Sequence, residues 1–428
     1  MKIALFSNTY LPHVGGVARS VKTLEDALRQ RGHEVRVVAP EFEHARPDPD
    51  VLRVPAIQNF NGSDFSVRLP LPSMIRDFME DFKPDLIHSH HPFLLGDAAL
   101  REAWKLRAPI VFTHHTLYER YTHYVPLDSP ALKRVAIQLA TEYCNLCDQV
   151  IAPSESIEKL LRERGVTAPI RVIPTGIDLG FFARGHGLRF REKHGLPAEA
   201  RVIGHVGRLA LEKNLLFLAE AMALRLRDDP SAVFLVVGDG DARDEMLAVL
   251  RQATGGPRIH AAGKLTGQDL ADAYAAMDWF VFASQTETQG LVLAEAMASG
   301  SPVVALDGPG VREIMTDGGN GFMLPDGASA AEFAASLGRL MEDPALSARC
   351  AAMARTTAAE YSIDRCTDCM LVAYETLTAG YQQAIKTDLT PWDRLLAGIE
   401  IEWNLLAEKM AAAAAAVTES PATEAGLD

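Results

Sequence analysis

The sequence predicts an α/β protein made of two doubly wound domains, each with a mainly parallel sheet. Three observations carry this. Short apolar runs such as Ile110–Thr113 and Gln149–Ala152 recur along the chain. Segments of helical length separate them, the alternation expected of a parallel sheet covered by helices. The pattern breaks at Pro174-Thr175-Gly176-Ile177-Asp178 and restarts at Arg201-Val202-Ile203-Gly204-His205-Val206. With 428 residues, the chain is long enough for two full cores.

Residues 2–7 read as the first strand, an apolar run ending in Ser7-Asn8 and unlike a signal peptide. The Gly-rich loop His13-Val14-Gly15-Gly16-Val17 follows, then a helix over 18–31 that Gly32 ends, then a strand over Glu34–Ala39. This is one right-handed crossover unit. Further strands are expected at Leu86–His88, Ile110–Thr113, Gln149–Ala152 and Ile170–Ile173, with helices at Leu94–Leu106 and Leu132–Cys147 between them. These elements make residues 1–175 one Rossmann-like domain, and 176–200 read as a linker. The second domain, 201–360, has later strands at Val233–Val237, Arg258–Ala261, Trp279–Phe282 and Pro302–Ala305. Its helices include Asn214–Arg227, Ala294–Ser299 and a long Ala-rich stretch over 328–360. Residues 361–385 are expected to form a helix that returns to the first domain. In the remaining 386–428, Pro391 opens an amphipathic helix running to Met410 through Trp392, Leu395, Leu396, Ile399, Trp403 and Leu406. It suits packing on the body or on a second subunit; its acidic face of Asp393, Glu400, Glu402 and Glu408 disfavours a membrane surface. The Ala tract and polar end beyond it are expected to be disordered.

Composition narrows the function. Hydrophobic content of 48% and charged content of 23% suit a soluble globular protein, and no run of ~18 apolar residues offers a membrane span. A cytoplasmic location follows as the default. Residues 1–175 hold 21 basic and 21 acidic residues, so the remaining 42 − 21 = 21 basic and 56 − 21 = 35 acidic residues carry the whole net charge of −14. Such an acidic second half argues against a nucleic-acid partner. Nine of the 13 histidines fall in the first half, at 13, 33, 44, 88, 90, 91, 114, 115 and 123, a crowding that points to chemistry there. Cys144/Cys147 and Cys366/Cys369 are C-x-x-C pairs inside helical patterns, without the knuckle turns that wrap zinc, so packing is the expected role. Asp48-Pro49-Asp50 and Asp239-Gly240-Asp241 imitate a D-x-D metal motif but sit in turns. No metal and no cofactor is expected.

The chemistry concentrates in Glu287-Thr288-Gln289-Gly290-Leu291-Val292-Leu293-Ala294-Glu295. Here two carboxylates stand eight positions apart across a glycine that opens a helix. A helix N-terminus presents unpaired N–H groups and a positive dipole end to a phosphate. Ionised glutamates on either side accept hydrogen bonds from hydroxyls. A diphosphate flanked by hydroxyl-rich groups describes a nucleotide-sugar. Gly207-Arg208-Leu209-Ala210-Leu211-Glu212-Lys213-Asn214, just after a strand, adds two cations suited to a diphosphate leaving group.

The Gly15-Gly16 loop, Arg208…Lys213 and Glu287-x7-Glu295, in this order over about residues 1–385, resemble the retaining GT-B glycosyltransferases of family 4. The resemblance implies the GT-B fold, two Rossmann-like domains facing across a cleft. It implies that Glu287 touches donor sugar hydroxyls, that Glu295 holds the ribose, and that Arg208, Lys213 and the N–H groups of Gly290, Leu291 and Val292 grip the phosphates. It places Lys264-Leu265 beside the base, Gly15-Gly16 near the donor phosphate and His115 near the reacting sugar, with His114 the adjacent alternative. Catalytic roles fall to His115, Glu287, Arg208 and Lys213, with retention of configuration and charge stabilisation that needs no metal.

For the acceptor, the stretch His115–Val125 and the loop Thr286–Gly290 resemble bacterial diacylglycerol glucosyltransferases. Tyr118, Tyr121, His123 and Tyr124 are the candidate acceptor residues, and Arg101, Trp104, Lys105 and Arg107 a candidate basic face for a membrane. A packed Tyr cluster lining a sugar pocket fits as well. The expected reaction moves a hexose from a nucleotide-sugar, UDP-glucose-like or GDP-mannose, to a lipid such as diacylglycerol at the inner face of the cytoplasmic membrane, or to a soluble glycan or small polyol. A sugar-nucleotide epimerase, a phosphorylase and a non-catalytic nucleotide-sugar sensor are the competing classes on the same frame. Residues 391–410 offer a route to an oligomer.

Overall fold

A computed structural model describes the chain apart from residues 14, 43–44, 58–66, 69–71, 121–129, 255 and 386–428. Tyr121, His123, Tyr124 and the tail helix expected over 391–410 therefore lie outside the described residues. The described residues divide into two units, one comprising Met1–Ile173 and the helical segment that begins at Thr367, the other Pro174–Cys366.

The first unit runs β1 (Lys2–Phe6), α1 (Gly16–Gln30), β2 (Glu34–Pro40), β3 (Val51–Val54), the short antiparallel pair β4 (Ala56–Ile57) and β5 (Val67–Arg68), α2 (Pro72–Phe82), β6 (Leu86–Ser89), α3 (Leu95–Leu106), β7 (Ile110–Thr113), α4 (Pro130–Asn145), β8 (Gln149–Ala152), α5 (Glu155–Glu163) and β9 (Ile170–Val172). Its seven-stranded parallel sheet has the order β3-β2-β1-β6-β7-β8-β9. Chain order reverses between β1 and β6, and that switch point is where such sheets open a crevice for ligands. β6, β7 and β8 are buried along their whole length and β1 from Ile3 onward, which suits their largely apolar character, with His88 and Ser89 of β6 as buried polar exceptions. Strand β3 is absent from the sequence reading: only its end residues are buried, and it lies between Asp48-Pro49-Asp50 and Pro55, a stretch that speaks of turns.

The second unit contains α6 (Leu179–Ala183), α7 (Gly187–Lys193), β10 (Arg201–Val206), α8 (Leu215–Asp228), β11 (Ala232–Val237), α9 (Arg243–Thr254), β12 (Ile259–Gly263), α10 (Gly267–Ala275), β13 (Trp279–Phe282), α11 (Leu291–Ala298), β14 (Val303–Leu306), β15 (Gly321–Leu324), α12 (Ala330–Glu342) and α13 (Pro344–Glu360). Its parallel sheet, β12-β11-β10-β13-β14-β15, reverses order between β10 and β13. The stretch 176–200, expected as a linker, instead folds as α6 and α7, with Phe182 and Phe190 buried in this unit's core. The helical stretch expected over 328–360 is divided between α12 and α13, because Asp343 caps a new start: its Oδ1 accepts from the N–H groups of Ala345 and Leu346 at 3.0 Å, and Pro344 takes the first position. A last helix, α14 (Ile363–Ile385), begins in the second unit and continues in the first, where Met370, Ala373 and Tyr374 join the core beneath α1 and β1. Among the described residues no helix is long and apolar enough to cross a membrane.

Candidate active site

In the second unit the strands deliver the expected residues to one edge. The loop after β10 runs from Gly207 to Asn214, and the loop after β13 from Ala283 to Gly290, so both leave neighbouring strands at the switch point. Backbone bonds tie the first of these loops to the turn after β11. Gly207 N–H donates to Val237 at 3.0 Å, Leu209 N–H to Asp239 at 2.9 Å, and Ala242 N–H to Leu209 at 2.9 Å. Gly238 and Gly240 make that approach feasible, because a Cβ on either would run into the Gly207 or Leu209 carbonyl. Asp239-Gly240-Asp241 thus belongs to a packed turn. Among the described residues no group of three or more His, Cys, Asp or Glu is placed to hold a metal.

The Lys213 ammonium donates to Glu287 Oε1 at 2.6 Å, with 14% and 20% of the two side chains exposed. Burial pushes the Glu287 carboxyl up, but the charge and hydrogen bond of Lys213, helped by Ser284 and Arg208, outweigh it and leave the group below its ordinary value. Glu287 is therefore ionised at neutral pH. Arg208 forms an ion pair with Glu212, four residues on, whose backbone carbonyl accepts from Thr286 Oγ1 at 3.3 Å. Both cations thus carry an acidic partner.

Gly290 caps α11 with φ of 69°, the left-handed conformation that lets the chain turn into the helix. The N–H groups of Gly290, Leu291 and Val292 precede the first helical hydrogen bond, as at any helix mouth. Gln289, buried beneath, bridges the Thr175 backbone with 2.8 Å bonds to both N–H and carbonyl. Glu295, one turn inside α11, is 3% exposed and accepts from the Tyr274 hydroxyl at 2.7 Å. Lys264 and Leu265 follow Gly263 at the end of β12, Lys264 exposed and Leu265 packed against the core. Glu212, Gln289 and Tyr274 are unassigned in the sequence reading. The spacing of four between Arg208 and Glu212 was a usable signal; the reach of Tyr274 to Glu295 was not.

In the first unit the residues cluster after β1, β6 and β7. Gly15 caps α1 in extended backbone, and a Cβ on Gly16 would meet nothing within 4 Å among the described residues. His91 Nδ1 accepts from the Asn8 N–H at 3.1 Å. His90 Nδ1 lies 2.9 Å from His115 Nε2, their rings stacked with centroids 5.2 Å apart. Burial first, then neighbouring imidazoles, hold both well below the ordinary histidine value. His114 differs: it is 1% exposed, neither ring nitrogen has a hydrogen-bond partner among the described residues, and burial lowers it to about 4. Tyr118 stands edge-on to His114 and Phe93, its hydroxyl buried beside Thr116. Lys105 of α3 pairs with the buried Glu102 at 3.0 Å, which offsets part of the basic face expected there. The five cysteines are free; burial raises Cys144 to about 12 and holds Cys147 above its ordinary value, as for packed thiols.

Comparisons with known proteins meet this geometry. The family described as Glycosyltransferase Family 4 matches residues 14–181, and that described as Glycosyl transferases group 1 matches residues 200–343. The chain is 30% identical to the alpha-monoglucosyldiacylglycerol synthase of Streptococcus pneumoniae, over 74% of each protein. It is 31% identical to a GDP-mannose-dependent alpha-mannosyltransferase of Mycobacterium tuberculosis, over 76% of this chain and 84% of that one. Among solved structures, Anabaena HepE in complex with UDP and glucose superposes with a TM-score of 0.71 at 22% identity, over 88% of this chain and all of that one, a likeness of fold. Two parallel-sheet α/β units of the GT-B kind and matches of this extent lead to one assignment: the chain is a glycosyltransferase belonging to family 4.

Proposed function

We propose that this glycosyltransferase moves a hexose from a UDP-sugar to a lipid hydroxyl such as that of diacylglycerol, with retention and without a metal. The observation that carries the donor half is the edge where Arg208, Lys213, Glu287 and the mouth of α11 converge, each cation already matched to an acid. A donor diphosphate would replace those acids as partner of the cations, freeing Glu287 to accept from sugar hydroxyls while Glu295 takes the ribose. Lys264 and Leu265 then border the base. On the first unit the family resemblance gives His115 the reacting sugar and Gly16 the donor phosphate; the empty space over Gly16 agrees with a ligand needing it. As the bond from sugar C1 to the phosphate oxygen breaks, its electron pair stays on the diphosphate. The acceptor oxygen bonds to C1 from the same face, and its proton passes to the departing phosphate oxygen. Two cations and a helix mouth stabilise the charge that develops.

The lipid acceptor and a place at the cytoplasmic membrane face rest on the glucosyldiacylglycerol relative and on the resemblance of the stretch His115–Val125 and the loop Thr286–Gly290; the mannosyltransferase relative keeps GDP-mannose as the second donor reading. A panel of UDP- and GDP-sugars scored by thermal shift tests the donor: a true one at 100 times its dissociation constant adds about 2.7 kcal/mol. Glu287→Ala is expected to remain folded and lose turnover; unchanged turnover removes Glu287 from the site. Diacylglycerol in detergent tests the acceptor, and glucose transfer to water-soluble polyols alone would defeat the lipid reading.

A further inference from the structure

The first unit buries more imidazole than the proposed transfer uses. His88, on β6, is fully enclosed, with Nδ1 2.5 Å from the Tyr374 hydroxyl of α14 and Nε2 2.7 Å from Thr113 Oγ1. Both partners are hydroxyls, so His88 is satisfied in either tautomer. Its ring lies 4.1 Å from that of His90, tilted by 34°. His90 is 1% exposed, offers Nδ1 to His115 Nε2 at 2.9 Å, and among the described residues has no hydrogen-bond partner at Nε2.

We infer that His90 is a positioning residue for the transfer: it donates Nδ1–H to His115 Nε2 and so locks His115 in the Nδ1–H tautomer. The inference rests on the reading that His115 attends the reacting sugar. One of the two facing nitrogens must carry the proton. If His115 carried it, the proton of neutral His90 would move to Nε2, leaving an N–H donor in the interior with nothing to receive it. Orphaned buried N–H groups are the costlier and rarer defect; a bare acceptor lone pair is tolerated more readily. The lower-cost arrangement therefore runs from His90 Nδ1–H to His115 Nε2, and the tautomer of the second ring follows from the bond at its other nitrogen. The same constraint disfavours protonated His115, which would again drive the His90 proton to the unpartnered side. His115 then meets a sugar hydroxyl as a neutral N–H donor and not as an acid.

The test uses the full chain labelled with 15N-histidine. Long-range 1H–15N spectra, with His115 identified through His115→Gln, are expected to show Nε2 of His115 unprotonated and Nδ1 protonated. The opposite pattern overturns the inference whether or not the enzyme uses a UDP-sugar. His90→Leu is expected to lower kcat about tenfold, the worth of one aligned hydrogen bond, with donor KM little changed and the His115 tautomers mixed. His90→Asn, whose carboxamide N–H takes the place of Nδ1–H, should restore most of the loss. If the tautomer is as inferred but His90→Leu leaves kcat untouched, the positioning role falls; if no nucleotide-sugar is turned over, the transfer reading falls while the spectrum still decides the tautomer.

Discussion

The Lys213–Glu287 pair sets a measurable coupling within the second unit. Consider Glu287→Gln, Lys213→Met and the two combined. Opposite unit charges ~4 Å apart in a medium of effective dielectric ~20 attract by ~4 kcal/mol. Taking both groups largely out of water cancels much of that, and at 14% and 20% side-chain exposure a net coupling of about 1–2 kcal/mol remains. The unit spans Pro174–Cys366, or 366 − 174 + 1 = 193 residues, a size at which 1 kcal/mol moves Tm by about 2–4 °C. Calorimetry at pH 7 should therefore show a non-additive loss of about 2–8 °C. The pH dependence has a fixed sign. Glu287 is depressed below 4.5 in the fold, so the pair contributes fully above the unfolded value and is lost as pH falls through the folded one. Repeated in steps below pH 4.5, the cycle should lose its coupling. Single losses that sum to the double within ~0.5 kcal/mol at pH 7 would refute the reasoning.

Other substitutions separate structure from function. Gly16→Ala adds a Cβ that touches no described residue, in the first turn of α1, so Tm should hold or rise by the equivalent of up to ~1 kcal/mol while donor KM rises; an unchanged KM removes Gly16 from the phosphate site. Gly290→Ala forces a φ of 69° on alanine and sets its Cβ 3.2 Å from Leu293 Cδ1 and 3.3 Å from the Gly310 carbonyl, for a loss of about 1–3 kcal/mol in thermal denaturation. Tyr274→Phe withdraws a donor from the buried Glu295 carboxylate and should cost about 1–3 kcal/mol together with weaker UDP binding by calorimetry; wild-type values in both would set the contact aside. Turnover is expected to persist in excess EDTA, and its abolition there would reverse the metal-free proposal.

Much of the architecture could be read from local pattern. Strands buried on both faces, such as β7, β8 and β13, are continuous apolar runs, and their limits match the reading at Ile110–Thr113, Gln149–Ala152 and Trp279–Phe282. Strand β15 escapes it because Gly321 opens the strand after Asp317-Gly318-Gly319-Asn320, a sequence that speaks only of turns. What makes Gly321 a strand residue is distant: a φ of 150° beside the Val303 carbonyl, where a Cβ cannot fit. The candidate site divides in the same way. Arg208, Lys213 and Glu287 stand in short motifs after strands, where chemistry is written along the chain. The partners that tune them act across the fold, as with Tyr274 on Glu295 over 21 positions and His90 on His115 over 25. The crowding of histidines was visible as composition, but which ring meets which depends on the order of β1, β6 and β7 in the sheet.

Helix α14 bears on how this protein can be dissected. A fragment ending at Ile173 would keep the whole seven-stranded sheet yet expose the apolar floor that Met370, Ala373 and Tyr374 cover, and would strip His88 of one hydroxyl partner. Such a fragment should express poorly or aggregate. Grafting Thr367–Ile385 back through a flexible tether, or permuting the termini so that this helix precedes Met1, should yield a well-behaved half whose imidazole array can be studied without the other.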